Sequence, residues 1–294
     1  MSTGTQEREQ AVKLAIREIS HIATLPEITL KIVELVEDPS STAQDLHNVI
    51  ANDPALSSRI LKVVNSSFYG LPGQIGSINR AIVMLGLNAV KNIAIAASLA
   101  KLFRGGDLSQ GFSARRVWEH AVASGAVSKM VADAARIGLS DEAFLAGLMH
   151  NIGLMVEMQF DRNKLIEVVQ KLGVNDQGQP QVDIRKAELA VFGADHQDFG
   201  AGLCQKWKFP NNFVLVTGFH HNPTDAPADA RRLPALVYLA DRLVGEVEGQ
   251  FRLDLPSLEI DPAVTELLQI SPDTLADLRQ RVPEEIESAA GLLG

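Results

Sequence analysis

Histidines carry most of the reactive chemistry in this 294-residue chain, which has seven of them and a single cysteine. His150 sits in the apolar stretch LMHNIGLM, residues 148–155, with the carboxamide of Asn151 beside it. Imidazole nitrogens and carboxylate oxygens are ordinary ligands of divalent metals. An aspartate at 151 would make this stretch look like a metal-binding turn, but asparagine offers only a neutral oxygen. His220 and His221 are adjacent. Neighbours on a helix point about 100° apart, so both reach one pocket only from near a helix end. Taken singly, each histidine also reads as a core ring satisfied by backbone carbonyls. Cys204, between Leu203 and Gln205, reads as a buried structural thiol and not a nucleophile.

Composition narrows the classes. Hydrophobic residues make up 46% and charged residues 21%, as in ordinary globular proteins. A net charge of −9 argues against a broad nucleic-acid surface, because phosphate binding draws on clustered Lys and Arg. One cysteine excludes an intramolecular disulfide and suits a reducing compartment. The polar start MSTGTQEREQ lacks the order of a signal peptide, and the apolar run 93–100 is too short to span a membrane. A cytoplasmic protein is expected.

The elements that must position these residues read as helices. Ile28, Ile32, Leu35 and Val36 form an amphipathic stripe in 27–37. Thr42 with Asp45 resembles a capping pair, Asp53-Pro54 a helix start, and Ser77 another. Gly86 interrupts the pattern, and Asn88 is expected to cap a very apolar helix over 89–103. Further helices are predicted over 113–136, 140–157, 161–172, 182–192, 196–207, 210–221 and 233–247, with a helical tail over 261–292. Trp118 and Trp207 are expected to anchor helix contacts. No strand signal of any length appears.

Several ordered blocks then carry a resemblance. LPE at 25–27, NDPALSSRIL at 52–61, NSSFYG at 65–70 and SINRAIVMLG at 77–86 resemble the opening of the HDOD family. The match continues through WEHAVASG, FLAGLMHNIG, DHQDFGAGLCQKWKFP, HHNP and LADRL, covering roughly residues 20 to 245. The resemblance implies an all-α fold in two parts: an HDOD-specific helical bundle and a bundle related to HD-domain phosphohydrolases. It divides the chain into a polar segment with a leading helix (1–20), an N-terminal HDOD subdomain (21–107), an HD-like subdomain with a degenerate metal site (108–247) and a C-terminal helical tail (248–294).

The same resemblance assigns the candidate site. His120, His150, His196, His220 and His221 fall where metal-dependent HD enzymes place ligating histidines, and Asp241 falls at their last carboxylate ligand. Asn151 stands where those enzymes carry the carboxylate that bridges the ions. Leu154 stands where a lysine steadies substrate phosphate, and the glycine-tyrosine-proline signature of the extended enzymes is missing after His220-His221. His21 and His47 read as solvated. Asn151→Asp would be expected to strengthen metal binding without restoring catalysis.

The expectation is therefore a non-catalytic bacterial signalling module with no catalytic residue. It would bind other signalling proteins or a small nucleotide ligand, with no membrane association. No resident cofactor is expected, a divalent metal (Fe, Mn, Mg or Zn) being the alternative. The rival functions are a metal-dependent phosphohydrolase and a nucleotide or anion sensor that uses the residual pocket.

Overall fold

The computed structural model describes residues 3–19, 25–103, 107–109, 112–175 and 179–292. The chain is all-α, and the local signals that start its helices act as read. The stripe in 27–37 forms α2 (Glu27–Glu37), burying Ile32 and Val33. Thr42 and Asp45 make a reciprocal capping box for α3 (Ala43–Ala51). Asp53 accepts from the Leu56 amide, and Pro54 opens α4 (Pro54–Val64). Ser77 caps α5 (Ile78–Leu85).

Gly86, with φ 90°, joins α5 to α6 (Leu87–Leu99) and is itself the N-cap residue of α6. Asn88 does not cap, because the chain turns at the one residue without a Cβ to strain there. Every residue from Ala89 to Leu99 is buried. One side of α6 packs on α2, α4 and α5, the other on α8 (Ser140–Met149). It is thus the seam between two helical layers. A short 3-10 turn, Ala100–Phe103, ends it, and the Phe103 ring packs on Trp118 at 4.6 Å. The expected break at Gly105-Gly106 lies outside the described residues. A two-stranded antiparallel hairpin, β1 (Asp107–Ser109) and β2 (Phe112–Ser113), follows; it is the only sheet among the described residues.

The second layer is built on α7 (Ala114–Ala135), which packs against α8, α14 (Arg232–Gly245) and α16 (Pro272–Ala289). Around it stand α9 (Ile152–Phe160), α10 (Arg162–Lys171), α11 (Ile184–Phe192), α12 (His196–Lys206), α13 (Asn211–Phe219) and α15 (Pro262–Leu268). The leading helix α1 (Thr3–Ile19) packs on α9 and α12.

Two predicted helices are divided. The tail over 261–292 splits into α15 and α16, with Gln269 in the left-handed region at φ 55°. The helix expected over 140–157 breaks at His150-Asn151, giving α8 and α9. The break re-aims the chain so that α9 can pass against α12. Their contact is so close at Gly153 that a Cβ there would stand 1.8 Å from the His196 carbonyl oxygen.

Candidate metal centre

Each candidate side chain sits at a helix end or on a face of α7 or α14 that points inward. His120 lies within α7 and Asp241 within α14. His150 closes α8 and Asn151 precedes α9. His196 is the first residue of α12, where Asp195 and Asp198 form a capping box. His220 ends α13 and His221 follows it, the helix-end placement that lets adjacent rings share a pocket. All seven converge in the interior, and none is more than 6% exposed.

The residues fall into two adjoining groups. In the first, His196, His220 and His221 bring ligand atoms within 4.8 Å of one another. His196 Nε2 lies 3.3 Å from His220 Nε2 and 2.9 Å from His221 Nε2. In the second, His120, His150 and Asp241 are joined by Asp254, from the loop after α14, within the same 4.8 Å. His120 Nε2 is 2.9 Å and His150 Nε2 3.7 Å from Asp241 Oδ1. The groups touch where the His150 and His220 rings pack edge-on, 5.1 Å between centroids. Asn151 turns its amide nitrogen to Asp254 Oδ2, 2.5 Å away, and its own oxygen is buried without a partner.

Hydrogen bonds on the far side of the rings fix which nitrogens face inward. His196 Nδ1 meets the Glu188 carboxylate at 2.8 Å, so it carries the proton. His220 Nδ1 donates to the Thr217 carbonyl (3.1 Å) and His150 Nδ1 to that of Gly147 (2.6 Å). In the neutral rings the Nε2 atoms of His196, His220 and His150 therefore all present lone pairs. Two lone pairs facing at 3.3 Å repel unless a cation or a proton lies between them. His150 Nε2, Oδ2 of Asp241 and Oδ1 of Asp254 are buried without hydrogen-bond partners, while Asp241 Oδ1 faces His120 Nε2 at 2.9 Å. This set fits a divalent metal: imidazole and carboxylate donors, with second-side hydrogen bonds that orient them.

Electrostatics agrees with a site that wants positive charge. Burial works against a charged His196, but the Glu188 carboxylate overrides it and lifts the pKa to about 9. Burial and the neighbouring rings push His220 and His221 well below the usual value. Burial opposes ionisation of Asp241, yet His120 and His150 beside it hold its carboxyl well below the usual range. Burial and the nearby Asp241 charge raise Asp254. Behind Glu188, burial first and then Glu188 and Asp195 push Glu157 well up.

No motif in the local sequence marks Glu188 or Asp254 as site residues. Glu188 lies among helical alanines and leucine as a surface charge would, and Asp254 lies in a loop. The available signal was a lone acid between Leu253 and Leu255, which are themselves buried. His47, expected to be solvated, is half-buried with an Nδ1 that has no partner; His21 lies outside the described residues. Leu154 is fully buried and offers nothing to a phosphate. Cys204 is buried, as is Trp207, while Trp118 is half-buried.

The comparisons follow the same lines. The HDOD domain profile matches residues 22–223. A protein from Treponema pallidum (strain Nichols), itself uncharacterized, is 25% identical over 250 residues. That alignment takes in 84% of this chain but 46% of the relative, so the chain spans about half the length of the curated relative it matches. Among solved structures, an HDOD domain protein of unknown function from Geobacter sulfurreducens superposes with a TM-score of 0.77 at 22% identity, covering 97% of this chain and 98% of its own. A Marinobacter aquaeolei VT8 protein with a provisional signal-transduction name gives 0.77 at 21%, over 99% of this chain and 65% of its own. A Shewanella amazonensis SB2B protein with a provisional phosphohydrolase name gives 0.72 at 20%, over 95% and 98%. At these identities the superpositions establish the fold, and the profile match over more than half the chain establishes that this protein belongs to the HDOD family.

Proposed function

We propose that this chain is a regulatory module of bacterial signal transduction that acts by binding, without turnover, and holds a divalent cation in its interior. The names of its structural relatives are divided between signalling and phosphohydrolysis, so the fold does not choose between them, and the residues support the binding reading. The observation that carries the reading is the burial of the whole ligand cluster, at most 6% exposed, behind the loop that follows α14. Of the cluster, His221 alone lines a cavity among the described residues, and it is 6% exposed. Leu154 in place of a phosphate-steadying lysine points the same way.

His196, His220 and His221 would form one donor group and His120, His150 and Asp241 the adjoining one, each able to hold an ion. The nitrogen-rich donor set favours Zn, Fe or Mn over Mg, which prefers oxygen. An ion in the second group would supply positive charge to buried carboxylates and tie α7, α8 and α14 together, and one in the first would join α12 to the end of α13. Partners are other signalling proteins, met on the surface of this stiffened bundle.

A second reading, a small-anion sensor, is favoured by one cavity of about 430 Å³ beside His221. Arg185 and Arg242 line it, with Asp225 and Asp261 at its walls. Arg185 is ion-paired with Asp183, but Arg242 pairs with no carboxylate among the described residues. Its guanidinium instead stacks on the Tyr238 ring, 3.3 Å from the centroid, and bonds the carbonyls of Glu259 and Tyr238.

The test is elemental analysis of protein purified without added metal or chelator, with phosphodiester assays in Mn²⁺, Fe²⁺ and Zn²⁺. Bound transition metal without turnover is expected. Metal-dependent turnover that disappears in His150→Ala would overturn the reading.

A further inference from the structure

We infer that Asp254 supplies the carboxylate missing at position 151, completing with His120, His150 and Asp241 a two-histidine, two-carboxylate site for a divalent transition-metal ion. The inference rests on the cation-holding role proposed above and names the ligand that the family resemblance does not supply.

Asp254 reaches the interior because the loop carrying it is anchored on both sides. Phe251, 3% exposed, packs its ring 5.6 Å from His120 and 5.5 Å from Phe112. Leu253 and Leu255 are buried at 6% and 1%. Between them the Asp254 carboxylate is carried inside, 1% exposed. A buried carboxylate costs several kcal/mol unless charge or hydrogen bonds compensate it. The only hydrogen bond found for it among the described residues is the one from Asn151 Nδ2 to Oδ2. Oδ1 has no partner, and an oxygen of the Asp254 carboxylate belongs to the set of ligand atoms lying within 4.8 Å of one another. Ligand atoms about 2.1 Å from a shared metal stand about 3–4 Å apart, so the four side chains need only a small inward shift to close on an ion.

The charges close as well. Two neutral imidazoles and two carboxylates carry −2, which a divalent ion neutralises. With Asp241 alone, the same ion would leave net positive charge in an apolar interior. Asn151 then has a role that aspartate could not fill. Its amide donates to the incoming carboxylate and orients it, as groups behind metal ligands do. An aspartate there would set two carboxylates 2.5 Å apart. The acid that the resemblance places at the helix junction is thus supplied from the loop, at Asp254.

The experiment titrates chelator-stripped protein with Co²⁺, reading visible absorption and calorimetry, for the parent, Asp254→Asn and Asn151→Asp/Asp254→Asn. Circular dichroism checks folding throughout. The parent should bind, and Asp254→Asn should bind at least about 10-fold more weakly, with an altered Co²⁺ spectrum. The double variant, which returns the acid to 151, should recover most of the loss. Equal affinity and spectrum in parent and Asp254→Asn would overturn the assignment while leaving the cation-holding role intact. Failure of the folded double variant to recover binding would overturn the equivalence of positions 151 and 254. Absence of uptake by the parent would overturn both this inference and the proposed function.

Discussion

His196 and His220 bring their Nε2 atoms to 3.3 Å, and each ring has already committed its Nδ1 proton elsewhere, to Glu188 and to the Thr217 carbonyl. That contact needs a positive charge to be stable. In metal-free protein the charge is a proton on His196, whose pKa Glu188 raises; in the metal-bound form proposed above it would be an ion.

Stability of the chelator-treated protein should therefore peak near pH 6.5. His196, raised from 6.5 to about 9, gives its full stabilisation below about 6.5 and loses it as pH rises through about 9. The ceiling on that contribution is about 3 kcal/mol. His220 and His221 are depressed, so their contribution is present above about 6.5 and fades as pH falls. Thermal melts from pH 5 to 10 check this, and Glu188→Gln should flatten the alkaline limb. A melting temperature unchanged from pH 6.5 to 9 would contradict it.

Metal binding should release protons near neutrality, because the ion displaces the one on His196. Affinity should fall as pH is lowered, and Glu188→Gln should weaken binding about 10- to 100-fold through lost ring orientation. Calorimetry in buffers of different ionisation enthalpy counts the protons released; zero protons at pH 7 would argue against a protonated His196.

Asn151→Asp should destabilise the metal-free protein, since it would face Asp254 across 2.5 Å. From sequence alone this change was expected only to strengthen metal binding. With Asp254 present, the variant should melt lower than the parent after chelator treatment and regain much of the difference when Mn²⁺ is added. A metal-free melting temperature equal to the parent's would mean the two side chains do not oppose each other.

Gly153→Ala should cost 3 kcal/mol or more (about the upper range for overpacking), because a Cβ would collide with the His196 backbone. Denaturant unfolding measures it, and reduced metal uptake should accompany it as α12 is displaced. A loss below about 1 kcal/mol would mean α9 and α12 can separate freely.

Cys204 should resist thiol reagents in the native state. It is fully buried, and burial pushes its thiol up to about 12. Labelling should follow global unfolding; stoichiometric labelling within seconds at pH 8 without denaturant would contradict the packing.

The sequence by itself determined the helical class and most helix starts. Thr42 with Asp45, Asp53 with Pro54, and Ser77 act on amides within three residues, so their chemistry is complete in a short window. It also supplied, through the family resemblance, the five histidines and Asp241. Tertiary structure alone decided the rest. The break at His150-Asn151 follows from how closely α9 must pass α12, which no local propensity encodes. Glu188 matters only because it lies under His196. Asp254 meets Asn151 across 103 positions of chain. Caps are local because backbone amides are satisfied by near neighbours, whereas a buried charge is compensated by whatever group the folded core places beside it.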